Sequence, residues 1–122
     1  MKYVLMYTSR PDLDANADPE AAQALYKRVY EWFQENGGIM ADSGAELLGI
    51  ETATTVKHGD DGSVVVDGPF NEAKEVIGGF SVIEVADLSA AIEAVKTWPL
   101  LDLPGNAVEI RPMVEDYSHM EQ

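Results

Sequence analysis

Asp67 is the residue of this sequence whose position best suits acid–base chemistry. The three valines before it, Val64–Val66, indicate a buried strand, and Gly68 and Pro69 predict a tight turn directly after it. A carboxylate at such a strand end, beside an apolar cleft, can serve as a general base or acid. An Asp before a turn also commonly accepts hydrogen bonds from the backbone amides of that turn. The sequence therefore leaves a catalytic and a structural role open for Asp67.

Three further side chains are candidates for binding a substrate in the same cleft: Arg111, Tyr7 and Lys74. Arg111 lies in an otherwise apolar C-terminal strand, where a guanidinium could clamp a substrate carboxylate through two parallel hydrogen bonds. Tyr7, at the end of the first predicted strand, could donate a hydrogen bond into the cleft. Each has a plainer alternative, which is a salt bridge for Arg111, a core position for Tyr7 and pairing with neighbouring charges for Lys74.

Other kinds of catalytic site lack support in the sequence. The chain has no cysteine, which excludes disulfides, thiolate catalysis and zinc–thiolate sites. His58 lies at a predicted hairpin turn and His119 near the C-terminus, and both positions predict exposure to solvent. No motif supports a Ser/His/Asp triad.

The segment Asp12–Asp18 matches a calcium-binding loop only in part. The first four ligand spacings of an EF-hand are present at Asp12, Asp14, Asn16 and Asp18. The sixth position is Ala17 instead of Gly, and the twelfth is Gln23 instead of Glu. We interpret the segment as an acidic loop, and we predict no metal site and no cofactor.

Length and charge restrict the possible functions. A chain of 122 residues is predicted to form a single domain, residues 1–122. Its 22 acidic and 8 basic residues give a net charge of −14, and only Lys27 and Arg28 are adjacent basic residues. Direct binding of nucleic acid is therefore not expected, because it needs clustered positive charge. No apolar run approaches the roughly 20 residues of a membrane helix, and the N-terminus has a strand pattern, so we expect a cytoplasmic protein without a membrane partner.

Periodicity and capping signals predict six strands and two helices. The predicted strands are 2–8, 39–47, 52–57, 63–67, 80–85 and 107–113, and the predicted helices are 19–36 and 88–98. Asp18 and Asp87 are the expected helix N-caps, while Pro99 is expected to end the second helix. Residues 59–62 are expected to form a hairpin turn and residues 100–106 a loop. The apolar stripe of the first helix is expected to pack on the sheet.

This order of elements is a split βαβ pattern with one inserted hairpin, which predicts an α+β, ferredoxin-like domain. Strands 2–8 and 80–85 are apolar on both sides, whereas two helices can cover only one face of the sheet. The other face must be covered as well. A second copy of the chain is the simplest cover, so we expect a homodimer.

Four segments of the chain also resemble a known family. The central ones are Asp67-Gly68-Pro69-Phe70 and the following residues 74–80. Together with the opening residues 1–7 and the closing residues 108–112, they are similar to the YCII-related, DGPF-domain family of small bacterial proteins. The resemblance implies a ferredoxin-like domain that pairs into a dimeric α/β barrel. Most members of that family have no assigned activity, some relatives are lyase-like or dehalogenating enzymes acting on small acids, and others are associated with sigma-factor-like transcription regulators. Some branches use a His/Asp acid–base pair, but this chain has no histidine before His58.

Two functional hypotheses follow. The first is a small-molecule-binding or accessory module, which the resemblance links to transcription control. The alternative is a lyase or isomerase that acts on a small anionic substrate, with Asp67 as general base and Arg111 orienting the substrate.

Overall fold

The computed structural model of the protein describes residues 1–10, 18–68, 75–116 and 118. Its strands are β1 (Lys2–Ser9), β2 (Met40–Glu46), β3 (Thr54–Gly59), β4 (Gly62–Asp67), β5 (Val76–Glu84) and β6 (Ala107–Pro112). Its α-helices are α1 (Pro19–Glu35) and α2 (Leu88–Val95), and short 3₁₀ helices cover Gly37–Ile39, Ile50–Thr52 and Pro99–Asp102. Within these residues, no helix is both long and apolar enough to pass through a membrane.

Four strands form one antiparallel sheet in the order β2-β5-β1-β6. Because β1 and β2 both run antiparallel to β5, they are parallel to each other with β5 between them. The same holds for β5 and β6 on either side of β1. Each such pair is joined through a helix, so the chain has the two split βαβ units predicted from its sequence. The α+β class with two helices and antiparallel sheets is confirmed.

The two faces of the four-stranded sheet differ. Residues directly opposite each other on neighbouring strands share a face, so Tyr3, Leu5 and Ile83 lie on one face. They form the buried core with Trp32 of α1, with Ala91 and Val95 of α2, and with Trp98. The other face, which we call the open face, carries Val4, Met6, Phe80 and Val82. Both helices therefore cover the first face.

Strands β3 and β4 form a separate two-stranded hairpin. Its turn lies between the paired Gly59 and Gly62, as predicted. The prediction that Val64–Val66 is a buried strand is wrong, since Val64 is 43% exposed and Val65 is 65% exposed. Within the described residues, the hairpin pairs with no strand of the larger sheet. These valines therefore reflect the preference of branched side chains for extended backbone rather than burial.

The helix N-termini are as predicted. Asp18 accepts a hydrogen bond from the Glu20 amide at 3.3 Å, and Asp87 accepts one from the Ala90 amide at 2.9 Å. Such caps satisfy amides that have no partner within the helix.

Helix α2 ends at Val95, three residues before the predicted end at Trp98. Pro99 disfavours helical backbone in the residue before it, and Trp98 accordingly has φ −59° and ψ 118°. A 3₁₀ helix, Pro99–Asp102, replaces the first part of the predicted loop. This local change of direction places the Trp98 ring in the core.

Candidate functional site

A cavity of about 580 Å³ lies between the first turns of α1 and the helix-covered face of the sheet. We call it the α1 cavity. Its walls are mainly apolar and include Tyr7, Leu25, Val29, Phe33, Trp98 and Leu100. Among the described residues that line it, Glu46 is the one with a formal charge. A concave, largely apolar space of this size is typical of a small-molecule site.

The cavity exists because α1 is attached to the core through its C-terminal half. Trp32 is buried, and its indole N–H donates to the Thr97 hydroxyl at 2.8 Å. Val29 and Leu25, one and two turns earlier, are only half-buried and line the cavity. The predicted packing of the α1 stripe therefore holds for Trp32, and for Val29 and Phe33, which pack against the core at its edge, whereas Leu25 is not among the residues packed on it.

A β-bulge in β2 shapes the edge of the cavity. Asp42 lies opposite Val82 and Ala45 lies opposite Phe80, so β2 has one residue more than β5 between these pairs. Bulges of this kind disrupt the ladder locally and leave a residue unpaired. The Ser43 carbonyl instead accepts a hydrogen bond from the Ser81 hydroxyl at 2.7 Å.

A second irregularity lies between β1 and β5. Tyr7 is opposite Gly79 and Thr8 is opposite Ile77, which leaves Gly78 as the extra residue. The Gly78 carbonyl accepts a hydrogen bond from the Leu47 amide at 2.8 Å. The two bulges therefore meet at the same end of the sheet, next to the cavity, where bulges commonly redirect side chains.

Three polar groups form a hydrogen-bonded chain at this end of the sheet. The Tyr7 hydroxyl donates to the Ser81 hydroxyl at 2.9 Å, and Ser81 donates to the Ser43 carbonyl. Ser81 is 0% exposed, so these contacts replace the hydrogen bonds that water would otherwise provide. Burial raises the pKa of Tyr7, an effect that the Ser81 hydrogen bond partly offsets. Tyr7 is therefore a neutral phenol at physiological pH.

Aromatic rings hold Tyr7 in place. Its ring stacks on Trp98 with centroids 4.4 Å apart and an interplanar angle of 25°, and it contacts the edge of Phe33 at 6.3 Å. Such pairs contribute roughly 0.5–1.5 kcal/mol beyond their buried area. The position of the Tyr7 hydroxyl is thus fixed by packing as well as by hydrogen bonding.

The rim of the cavity carries a polar pair, Tyr26 and Glu46. The Tyr26 hydroxyl donates to the Glu46 carboxylate at 3.1 Å. This hydrogen bond, together with the negative charge of Glu46, raises the pKa of Tyr26. The rim therefore combines a neutral phenol with a carboxylate.

Comparison with known proteins agrees with this fold. The model of the YCII-related domain matches residues 1–115. The chain belongs to the YCII-related family. A relative in Rhizobium meliloti (strain 1021) is itself an uncharacterised protein; it is 32% identical over 69 residues, which span 57% of this chain and 56% of the relative.

A solved structure with a similar fold is 5-chloro-2-hydroxyhydroquinone dehydrochlorinase from Burkholderia phenoliruptrix AC1100, in complex with 2,5-dihydroxybenzoquinone. It is 14% identical in sequence and has a TM-score of 0.57, with 95% of this chain and 96% of the other covered. At this level of identity the likeness shows the shared fold alone.

The structure separates the site residues predicted in this YCII-related chain. Tyr7 lines the α1 cavity. Asp67 is exposed at the end of β4, on the hairpin, and does not line the cavity. Arg111 is exposed and lies opposite Val4, which places it on the open face. Lys74 lies outside the described residues.

The remaining sequence motifs are distributed as follows. His58 is exposed in β3, and His119 lies outside the described residues. Asp18 caps α1, whereas Asp12 and Asp14 lie outside the described residues. Across the part of the chain that the structure describes, no three His, Cys, Asp or Glu side chains form a group suited to a metal ion.

Sequence reasoning missed Ser81 and Trp98 as site residues. Ser81 did give a signal, because it is a single hydroxyl within the apolar strand Val76–Glu84 and a buried hydroxyl must find partners. Trp98 gave none, since its place beside Tyr7 depends on the turn that Pro99 imposes.

Proposed function

We propose that this YCII-related protein binds a small, flat and largely apolar molecule in the α1 cavity. The observation that carries the proposal is an apolar cavity of about 580 Å³ that is lined by Tyr7, whose hydroxyl is oriented by its hydrogen bond to Ser81. Small-molecule sites commonly pair apolar walls with a few well-placed polar groups. Leu25, Val29 and Phe33 supply the apolar side opposite the sheet.

Charge indicates that the ligand is neutral. The one formally charged side chain among the described lining residues is Glu46, which would repel an anion. Arg111, which the sequence suggested as a clamp for an anionic substrate, lies on the opposite face of the sheet. A neutral aromatic or alicyclic molecule therefore suits the cavity better than the small anion considered from the sequence alone.

A cavity-filling variant tests the proposal. Val29→Trp places an indole inside the cavity, whereas Tyr30→Trp adds the same ring on the exposed side of α1. The neutral probe N-phenyl-1-naphthylamine, which fluoresces in apolar surroundings, should bind wild type and Tyr30→Trp alike. Its affinity for Val29→Trp should be at least tenfold lower, with thermal melting showing that the variant is folded. Equal affinity for all three proteins would overturn the proposal.

The alternative is a lyase-type enzyme, and the fold shared with a dehydrochlorinase bound to a dihydroxybenzoquinone favours it. In that case the residue that reaches the ligand is Tyr7, whereas Asp67 would have to act from the exposed hairpin. Chloride release from a chlorinated hydroxyhydroquinone, measured for wild type, Tyr7→Phe and Asp67→Asn, separates the hypotheses. The binding hypothesis predicts no release by any of the three, and release that depends on Asp67 would establish the enzyme with its predicted base.

We also propose that two copies pair through the open face and so form the dimeric α/β barrel. Val4, Met6, Phe80 and Val82 form an apolar patch there that neither α1 nor α2 covers. Arg111 and Glu109, both on β6, border the patch on the same face. A face with an apolar centre and charges of both signs at its border can complement itself across a twofold axis.

A further inference from the structure

We infer that the α1 cavity selects ligands that present a hydroxyl or amine hydrogen to the Tyr7 oxygen, an inference that rests on the proposed function. Tyr7 lines the cavity, and the hydrogen of its hydroxyl is already donated to Ser81. The ligand class that follows is a neutral aromatic alcohol or amine.

The direction of the hydrogen-bonded chain fixes the role of Tyr7. The Ser43 carbonyl can only accept, so the Ser81 hydroxyl, 2.7 Å away, must donate its single hydrogen to it. Ser81 is then an acceptor towards Tyr7, and the Tyr7 hydroxyl must donate its own hydrogen to Ser81 at 2.9 Å. The reverse arrangement would place two lone pairs of Ser81 and Ser43 against each other in a site with no exposure to water.

The Tyr7 oxygen is therefore left as an acceptor with a lone pair for the ligand. Stacking on Trp98 and the edge contact with Phe33 restrict the ring from turning away to form another bond. Because burial also raises the pKa of Tyr7, the phenol keeps its hydrogen and the chain keeps its direction at neutral pH. An anionic oxygen would meet an acceptor here and the carboxylate of Glu46 at the rim.

Three probes with one ring system test the inference by calorimetry: 2-naphthol, 2-methoxynaphthalene and 2-naphthoate. The ether has no hydrogen to donate to Tyr7. We expect wild type to bind 2-naphthol at least tenfold more tightly than either of the other probes. In Tyr7→Phe, the ratio of the affinities for 2-naphthol and the ether should fall to about one.

Two further variants complete the design. Ser81→Ala frees the Tyr7 hydrogen, so affinity for the ether should rise relative to 2-naphthol. Tyr3→Phe is the matched control, because Tyr3 is buried on the same face, donates to the Met1 sulfur at 3.6 Å and does not line the cavity. Its affinity ratio should equal that of wild type.

The outcomes distinguish the two proposals. If the probes bind but wild type shows no preference for 2-naphthol, or if Tyr7→Phe retains the preference, the acceptor role of Tyr7 is overturned while the binding function stands. If no probe binds to wild type, the binding function itself is overturned, and the inference with it.

Discussion

The ring of Tyr7 stacks on the ring of Trp98, with centroids 4.4 Å apart. The contact joins the end of β1 to Trp98, which lies three residues after the end of α2. Trp98 also contacts Trp32 of α1, with ring centroids 5.0 Å apart. Trp98 therefore connects both helices to the sheet while forming part of the cavity wall. The same side chain therefore belongs both to the core and to the cavity wall.

Trp98→Ala should reduce the free energy of unfolding by about 3–5 kcal/mol, because it removes a large side chain from a closely packed core. Leu101→Ala is the matched control, since Leu101 lies in the neighbouring 3₁₀ helix and is exposed. That change should cost about 0.5 kcal/mol or less. Urea unfolding measures both, and equal losses would show that Trp98 does not connect the elements as described.

Gly44 is expected to tolerate no side chain. It has φ +75° within the β2 bulge, and a Cβ atom there would overlap the Phe80 carbonyl oxygen. Gly44→Ala should therefore reduce the free energy of unfolding by more than about 3 kcal/mol, since a steric clash adds to backbone strain.

Gly62→Ala provides the control for strain alone. Gly62 also has positive φ, but nothing lies within 4 Å of its Cβ position. Its substitution should cost about 1–2 kcal/mol. If urea unfolding gives the same loss at both glycines, the close approach of β2 to β5 is not what requires Gly44.

Elements with local signals were predictable from the sequence. Helix α1 starts at Pro19 because Asp18 caps it and proline suits the first helical position. Strand β6 was predicted to within one residue of its observed end. Tyr7 was a candidate because it ends a strand, and the structure places it in the cavity.

The parts that depend on distant segments were not predictable. A run of valines such as Val64–Val66 predicts a strand but does not show whether that strand is buried. Burial depends on the strands and helices that pack against it, and here the valines are exposed. Arg111 lies on the open face because it is paired with Val4, and a register shifted by one residue would have placed it on the other face. Two bulges shape the edge of the α1 cavity, and their positions follow from strand pairing rather than from local sequence.

Val82→Glu should prevent self-association if the open face is the dimer interface. The substitution places a carboxylate at the centre of the apolar patch, and burying it without a partner should weaken association by at least about tenfold. Light scattering should give twice 13.3 kDa for wild type and 13.3 kDa for the variant at micromolar concentration.

Val65→Glu is the control for the added charge, because Val65 is exposed on the separate hairpin. It should leave the mass of the wild-type assembly unchanged. A wild-type monomer, or a Val82→Glu dimer, would contradict pairing through the open face.

Alkaline pH should destabilise the wild-type protein in part through Tyr7. Burial raises the folded-state pKa of Tyr7 above its ordinary value of 10.0. Below pH 10 both the folded and the unfolded chain keep the phenolic hydrogen, so the contribution of Tyr7 to stability is fully present. As the pH rises above 10, the unfolded chain loses this hydrogen first, and the contribution is lost progressively up to the folded-state pKa. The pKa of Tyr26 is also raised, so the contribution of Tyr26 to stability is likewise lost as the pH rises above 10.

Tyr7→Phe isolates the contribution of Tyr7, because Tyr26 is common to both proteins. At pH 7 the variant should be less stable by about 0.5–1.5 kcal/mol, since the hydrogen bond to Ser81 is lost while Ser81 still donates to Ser43. The difference between wild type and variant should then shrink as the pH rises from 9 to 11, because only wild type loses the contribution of Tyr7. Urea unfolding at several pH values measures it, and a difference that stays constant or grows over this range would show that the Tyr7 hydroxyl is not held in a desolvated position.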